Sequence, residues 1–551
     1  MKKADVFGRG ACLIRAVKLG IIFTLGLSSL VAGTLAGAFF SVKSADASSQ
    51  SFNTAVTTAM EQANRLMTSG QYYSAARFAY SAAQDAISPA DQGDANAVVT
   101  LSLIRAGLYQ SSTYFFFKTL ETKHKPSIRR VLSQVDILFE RSGVDSFRDY
   151  LIRFTDYNDY DVLNRSAYLF SLGKTALLRG DENKSIQYLN GVSVSSPLYP
   201  RALQLRGTAL AIQGRIDESF EDFRECQQNA KLVIRARDTN SSRHRLESGE
   251  AKDLANRCLA SRARVLYQAE RFGQAEDLYN LVPKTSNVWT DILFEEAWNS
   301  YSKREFNRSL GKLVTYKSPL LKSMLNSEID ILRAQGYLSL CLYEDTEEVL
   351  NEFTSSYSEV GRSVKQFVEQ NESSLINFYI LGLQTLRAPL SSTVPLHRMA
   401  NRFIRGPYFA SIVQQDLEIA AERLSLTTLA RLTQSPENGG MTSFLREVLK
   451  WRERMNRSFG GAFVKNSLID HHAQLVADFE KVSFIKIELL SRAKEKIIRQ
   501  SKTSQAEREE RVRGNVLPIR RDNQMFWIFN GEYWADELGD YVFGLRSECA
   551  G

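Results

Sequence analysis

The side chains best equipped for chemistry lie close together near the C-terminus: Glu532, Asp536, Glu537 and Asp540, interleaved with Trp527, Tyr533 and Trp534. Carboxylates in pairs beside aromatic rings are what glycoside cleavage requires, one acid protonating the leaving oxygen while the other stabilises or attacks the sugar carbon. The segment that carries them, residues 515–551, is too short to build a substrate cleft alone. It is expected to form a capping surface with hydrogen-bonded aromatics. No other group of residues competes. His124, His244, His397, His471 and His472 show no metal-binding spacing, and the adjacent pair points to different sides of a helix. A nucleophile elbow, a phosphate loop and a dinucleotide fingerprint are all missing. No cofactor and no metal are expected, and the chain reads as a non-enzyme.

What must position these residues is helical. Within the tail, Phe526 to Phe529, then Asn530-Gly531, then Glu532 to Trp534 predict a β-hairpin with a type I′ turn. Tyr541 to Leu545 supplies a further strand. Upstream, residues 464–513 contain neither proline nor glycine, and Leu468, Leu475, Val482 and Leu489 stand seven apart with Phe479 among them. That stripe belongs to a long helix, charged from Lys494 onward, which either folds as a hairpin onto the domain or pairs with a second copy. Packing on the domain is the expected use. Before it, residues 361–463 read as a helical extension, broken at Ala388-Pro389 and Val394-Pro395 and again by the turn signal from Ser435 to Gly440.

The preceding region repeats. Gly173 and Gly207 are 34 residues apart, as are Gly180 and Gly214. The first pair suits close helix packing and the second a left-handed turn. Ser185, Leu189 and Val192 have counterparts in Ser219, Phe223 and Cys226. The phase extends upstream through Gly70 with Tyr72 and Ala75, Gly107 with Tyr109 and Phe116, and Gly143 with Ile152. Downstream it continues through Phe272, Phe306 and Tyr343. Each copy is a pair of amphipathic helices that can bury its apolar face only by stacking on neighbours. The charged stretch from Arg235 to Glu250 is expected to be an exposed insertion.

These residues resemble the tetratricopeptide repeat. The resemblance implies a right-handed superhelix of about eight helix-turn-helix units over residues 48–360. The tail, with its Trp-x-Phe-Asn-Gly-Glu-Tyr-Trp run, is similar to the C-termini of envelope tetratricopeptide proteins of predatory and gliding bacteria. In that family the first helix of each repeat lines a concave groove. Carried over, the groove would hold Phe170, Lys174, Leu177, Arg201, Gln204, Arg257, Arg264, Tyr267, Phe294, Trp298 and Tyr301. Such a set suits an extended or helical peptide with acidic character. On the same frame Cys226 and Cys258 become neighbours, implying a disulfide across the insertion, whereas Cys341 and Cys549 have no assignable partner.

Residues 1–47 read as an export signal or an N-terminal membrane anchor: a basic start, an uncharged run from Leu19 to Phe40, and small residues at Ala45 and Ala47. Either way the rest of the chain is expected in the periplasm. Removing those residues leaves 64 basic against 60 acidic side chains, so the excess of +8 is halved and nucleic-acid binding loses its support. The expected role is a scaffold for envelope proteins. The alternative is a peptidoglycan-binding protein, or a wall-acting hydrolase, that uses the acidic and aromatic tail with Trp527, Tyr533, Trp534 and Glu532.

Overall fold

A series of turns at φ between 59° and 79° punctuates the chain: Gly70, Gly107, Gly143, Gly180, Gly214, Glu270, Arg304 and Cys341. Neighbours are 34 to 37 residues apart, except across the interval from Gly214 to Glu270. Most close with the same hydrogen bond, from the residue after the turn back to a carbonyl five positions earlier. Examples are Asp181 N–H to Ala176 O at 2.9 Å and Glu305 N–H to Ser300 O at 2.9 Å. This is the Schellman closure, which satisfies the carbonyls left open at a helix end. At Glu270, Arg304 and Cys341 a side chain occupies the left-handed position, at a local cost of about 1–2 kcal/mol. The turn was visible in the sequence only where it carried glycine.

A computed structural model of the chain describes residues 49–236, 242–321, 324–390, 392–433, 440–502 and 525–549. The basic, apolar and Ala-x-Ala segments of residues 1–47 lie outside these. Among the described residues the structure is all-α apart from two short strands, and no helix is long and apolar enough to cross a membrane. The chain divides into two compact units.

The first unit comprises residues up to 215 together with 407–460. Its helices are α1 (Ser49–Thr68), α2 (Tyr72–Asp85), α3 (Pro89–Arg105), α4 (Tyr109–Glu121), α5 (Lys125–Leu132), α6 (Val135–Ser142), α7 (Val144–Phe154), α8 (Arg165–Leu178), α9 (Glu182–Asn190) and α10 (Tyr199–Ile212). Successive helices pack on one another, α1 on α2, α2 on α3, α8 on α9 and α9 on α10. At Gly173 of α8 an added Cβ would meet the Leu189 side chain of α9 at 2.5 Å, so glycine here sets the helix separation. Two later segments complete the unit, α20 (Pro407–Leu432) and the start of α21 (Gly440–Lys502). Their Ile419, Leu426, Met441, Leu445 and Leu449 join Ala76, Val99, Leu103 and Phe115 in one buried core.

Polar groups lock that return. Glu422 of α20 accepts the backbone N–H groups of Gln110 and Ser111 at 2.7 Å each, capping the open end of α4. Arg452 of α21 is fully buried and donates to the Gln110 side chain at 3.0 Å, Ser146 Oγ at 3.1 Å and the Ser142 carbonyl at 2.6 Å. Burial is costly for both ions: it pushes the Glu422 carboxyl up to about 7 and the Arg452 guanidinium down to about 10. Each is tolerated because its hydrogen-bonding capacity is met.

The second unit holds residues 216–406 and 461–551. It contains α11 (Ile216–Ala236), α12 (Ser242–Gln268), α13 (Phe272–Tyr279), α14 (Trp289–Ser302), α15 (Phe306–Val314), α16 (Ser327–Ser339), α17 (Tyr343–Gln370), α18 (Leu375–Arg387), α19 (Pro395–Ile404) and the remainder of α21. Within the stretch from Arg235 to Glu250, expected as an exposed insertion, α11 ends at Ala236 and α12 begins at Ser242, and Gly249 and Glu250 are exposed. The disulfide Cys226–Cys258 joins the two helices, with Cα atoms 6.1 Å apart. The α17 helix runs unbroken past residue 360, where the repeat pattern fades. Against it lies α21, whose Leu468, Leu475, Val482 and Leu489 are all buried and whose Phe479 meets Phe353 edge-on at 4.9 Å. No hairpin interrupts α21 between Gly440 and Lys502.

The tail departs from its local sequence preference. Strand β1 (Trp527–Ile528) pairs with β2 (Tyr541–Val542) in parallel, Trp527 opposite Tyr541, rather than turning at Asn530-Gly531 to form a hairpin. A local hairpin would leave its aromatic face unburied. The observed path lets Phe529 pack on Tyr533, Tyr541 and Phe543, with ring centres 5.2 to 5.6 Å apart. It also presses the Tyr541 backbone onto α15 at Gly311, where an added Cβ would sit 2.0 Å from the Tyr541 carbonyl oxygen.

Candidate binding surfaces

Four of the eleven residues expected to line a groove, Lys174, Arg264, Tyr267 and Tyr301, instead tie one helix pair to the next. Arg264 of α12 grips Glu295 of α14 through three contacts of 2.8 to 3.0 Å. The Tyr267 hydroxyl meets Ser302 Oγ at 2.8 Å, and the Tyr301 hydroxyl meets Ser339 Oγ at 3.1 Å. In the first unit Lys174 of α8 bonds Asp145 of α7 at 2.7 Å. Burial alone would raise the Asp145 carboxyl, but Lys174 and Arg148 beside it hold it below its usual value. Arg257 pairs with Asp253 one turn earlier on its own helix. Phe170, Leu177 and Phe294 are core residues. Trp298 is half-buried against Tyr301, at 5.7 Å. Of the expected set, Arg201 is exposed and Gln204 half-exposed.

Two groups on the second unit remain uncommitted. Among the described residues, the Asp291 carboxylate and the Arg402 guanidinium make no hydrogen bond or ion pair. Asp291 lies one turn before Glu295 on α14 and keeps access to solvent. Surrounding protein nevertheless dehydrates it, and this, with the Glu295 charge, raises its carboxyl despite Arg264 and Arg402. Glu328 of α16 is raised in the same way, by burial and then by Asp478, with Arg402 and Lys481 opposing. The surface therefore carries mixed charge. Its basic member Arg264 is already neutralised by Glu295, which weakens the electrostatic ground for preferring an acidic peptide.

The acidic tail cluster is dispersed in role. Asp540 is taken by Lys284 at 2.9 Å, and Lys284 also donates to the Asp536 carbonyl at 2.9 Å. Gly539 is fixed from both sides, its carbonyl accepting from Lys312 at 3.2 Å and its N–H donating to Thr315 Oγ1 at 3.1 Å. Below runs a buried ion network in which Lys312 bonds Glu296 at 2.5 Å and Arg308 bonds Glu276. Burial would raise the Glu276 carboxyl, yet Arg308 and Lys303 hold it low. Phe526 covers this network, its ring centre 4.8 Å from the Arg308 guanidinium carbon. Cys341 and Cys549, which sequence left without partners, are joined in a disulfide that fixes the tail end to the α16–α17 turn. Tyr533 is half-buried, while Trp527 and Trp534 stay 43% and 58% exposed and are aromatic parts of the tail still open to solvent.

No protein-family model matches the chain, and no curated protein matches it in sequence. The uncommitted pair on the second unit had unequal signals. Asp291 shares a helix face with Glu295 at four-residue spacing and was legible in principle. Arg402 lies on α19, outside the repeats, and only packing places its charge near α14 and α16.

Proposed function

We propose that this chain is a non-enzymatic scaffold of the bacterial cell envelope, a tetratricopeptide-like solenoid that holds partner proteins in the periplasm. The observation carrying this reading is the ladder of ties between consecutive hairpins, Arg264–Glu295, Tyr267–Ser302 and Tyr301–Ser339, 31 to 38 residues apart. Such cross-links make a pre-organised face, and a stiff face loses little ordering entropy when a partner docks. The side chains free to contact that partner are Asp291, Arg402 and Trp298, in place of the expected basic row. The test is crosslinking and affinity capture of the tagged chain from intact cells. Recovery of a defined set of envelope proteins, lost with Asp291→Lys or Arg402→Glu while the helical fold is retained, is the expected result. Unchanged capture by both variants would move the partner site elsewhere.

The exposed rings of Trp527 and Trp534 favour a second reading, a surface that stacks on the sugars of the cell wall. Sedimentation with purified peptidoglycan, compared between the native chain and Trp534→Ala, separates the two.

A further inference from the structure

Opposite its buried stripe, α21 carries a second apolar line that is exposed among the described residues. Phe484, Ile487 and Leu490 are 62%, 64% and 62% exposed, and Val476 and Ile469 continue the line at 48% and 41%. At 100° per residue these positions lie within about 60° of Ile487, whereas Leu475, Val482, Ile485 and Leu489 face the other way. The line extends over about 32 Å of helix. Isolated exposed apolar residues need no explanation, but a contiguous seam on a long helix marks an interaction surface.

The charges along the seam identify its occupant. Glu480 and Lys494 lie on the same face, seven residues before and after Ile487, and both are exposed, with no ion pair among the described residues. A second helix laid antiparallel with a two-fold axis at Ile487 sets Glu480 against Lys494 and brings Phe484 level with Leu490. Ile487 then meets its own symmetry mate. A parallel, in-register pair would instead put Glu480 on Glu480 and Lys494 on Lys494. Charges at such positions set partner choice and orientation in paired helices, and a two-fold interface must be self-complementary in this sense.

We infer that this seam is a homodimer interface: two copies of the chain pair their α21 helices antiparallel, centred on Ile487. The pairing leaves the buried face of α21 in place and uses only side chains that the monomer exposes.

The experiment uses the full purified chain, its mass measured across a dilution series by analytical ultracentrifugation. A dimer is expected, and Ile487→Lys should weaken it by roughly thirtyfold or more. Ile487→Cys should cross-link to itself under mild oxidation, because the two-fold axis brings that position onto its mate. Glu480→Lys should weaken association, and adding Lys494→Glu should restore it. A native chain that is monomeric at all concentrations, with the seam covered by another part of the same chain or by solvent, overturns the inference. So does a dimer that survives Ile487→Lys or fails to cross-link at position 487.

Discussion

Asn307 holds the backbone of Leu545 from both sides: its Nδ2 donates to the Leu545 carbonyl at 2.9 Å and its Oδ1 accepts the Leu545 N–H at 3.0 Å. The Asn307 carbonyl also accepts the Phe543 N–H at 3.0 Å. One residue of α15 thus supplies the edge that a neighbouring strand would otherwise provide. Replacing Asn307 with Ala should loosen residues 543–549 and cost about 1–3 kcal/mol, two hydrogen bonds partly shielded from water. Hydrogen exchange should show faster labelling at Phe543 and Leu545, with the α8–α10 region unchanged.

The two disulfides differ in access. Cys226 and Cys258 are fully buried, whereas in the second bridge Cys549 is exposed and only Cys341 is buried. Thiol exchange needs an approach path for the attacking thiolate. Mild reduction followed by alkylation should therefore label Cys341 and Cys549 first, as read by peptide mass spectrometry. Equal labelling of all four would contradict the burial of the Cys226–Cys258 pair.

Glu422 predicts a pH effect of definite sign. Its carboxyl is raised from 4.5 to about 7 by burial, so between those values the folded chain binds more protons than the unfolded chain. Stability then falls as pH rises through that window, by on the order of 2–3 kcal/mol from this group. Asp136, raised to about 6 by burial, acts in the same direction. His471, held well below its usual range by burial, acts oppositely. The contribution of Glu422 must be read as a difference. Urea midpoints at pH 5 and pH 8 should separate less in Glu422→Gln than in the native chain.

The ladder and the uncommitted charges should split cleanly under mutation. Arg264→Ala leaves Glu295 without its bidentate partner in a mostly buried site and should destabilise the second unit by about 1–3 kcal/mol. Asp291→Asn, which removes a charge that surrounding protein dehydrates and that makes no ion pair among the described residues, should change stability by no more than about 0.5 kcal/mol. Thermal unfolding of the two variants measures this, and a comparable loss in both would show that Asp291 is structural.

The helical class, the recurring helix pairs and the buried stripe of α21 were legible in the residues alone. Each is written locally, in apolar spacing and in glycines at left-handed turns such as Gly180 and Gly214. The sequence also placed Cys226 and Cys258 close enough to pair, because adjacent repeats bring sequence neighbours together.

Tertiary structure decided everything that couples distant segments. Glu422 and Arg452 reach α4 from more than 300 residues away, and nothing local in either segment announces that partner. Cys549 finds Cys341 across 208 residues only because Gly311 lets the tail backbone seat on α15. The same contact overrides the Asn-Gly turn preference, since burying Tyr541 and Phe543 against the helices gains more than a solvated hairpin. The groove residues were placed on the expected helices, but whether each faces a ligand or its neighbour depends on side-chain partners a repeat later. Arg264 and Tyr267 found theirs in Glu295 and Ser302, and that choice belongs to packing.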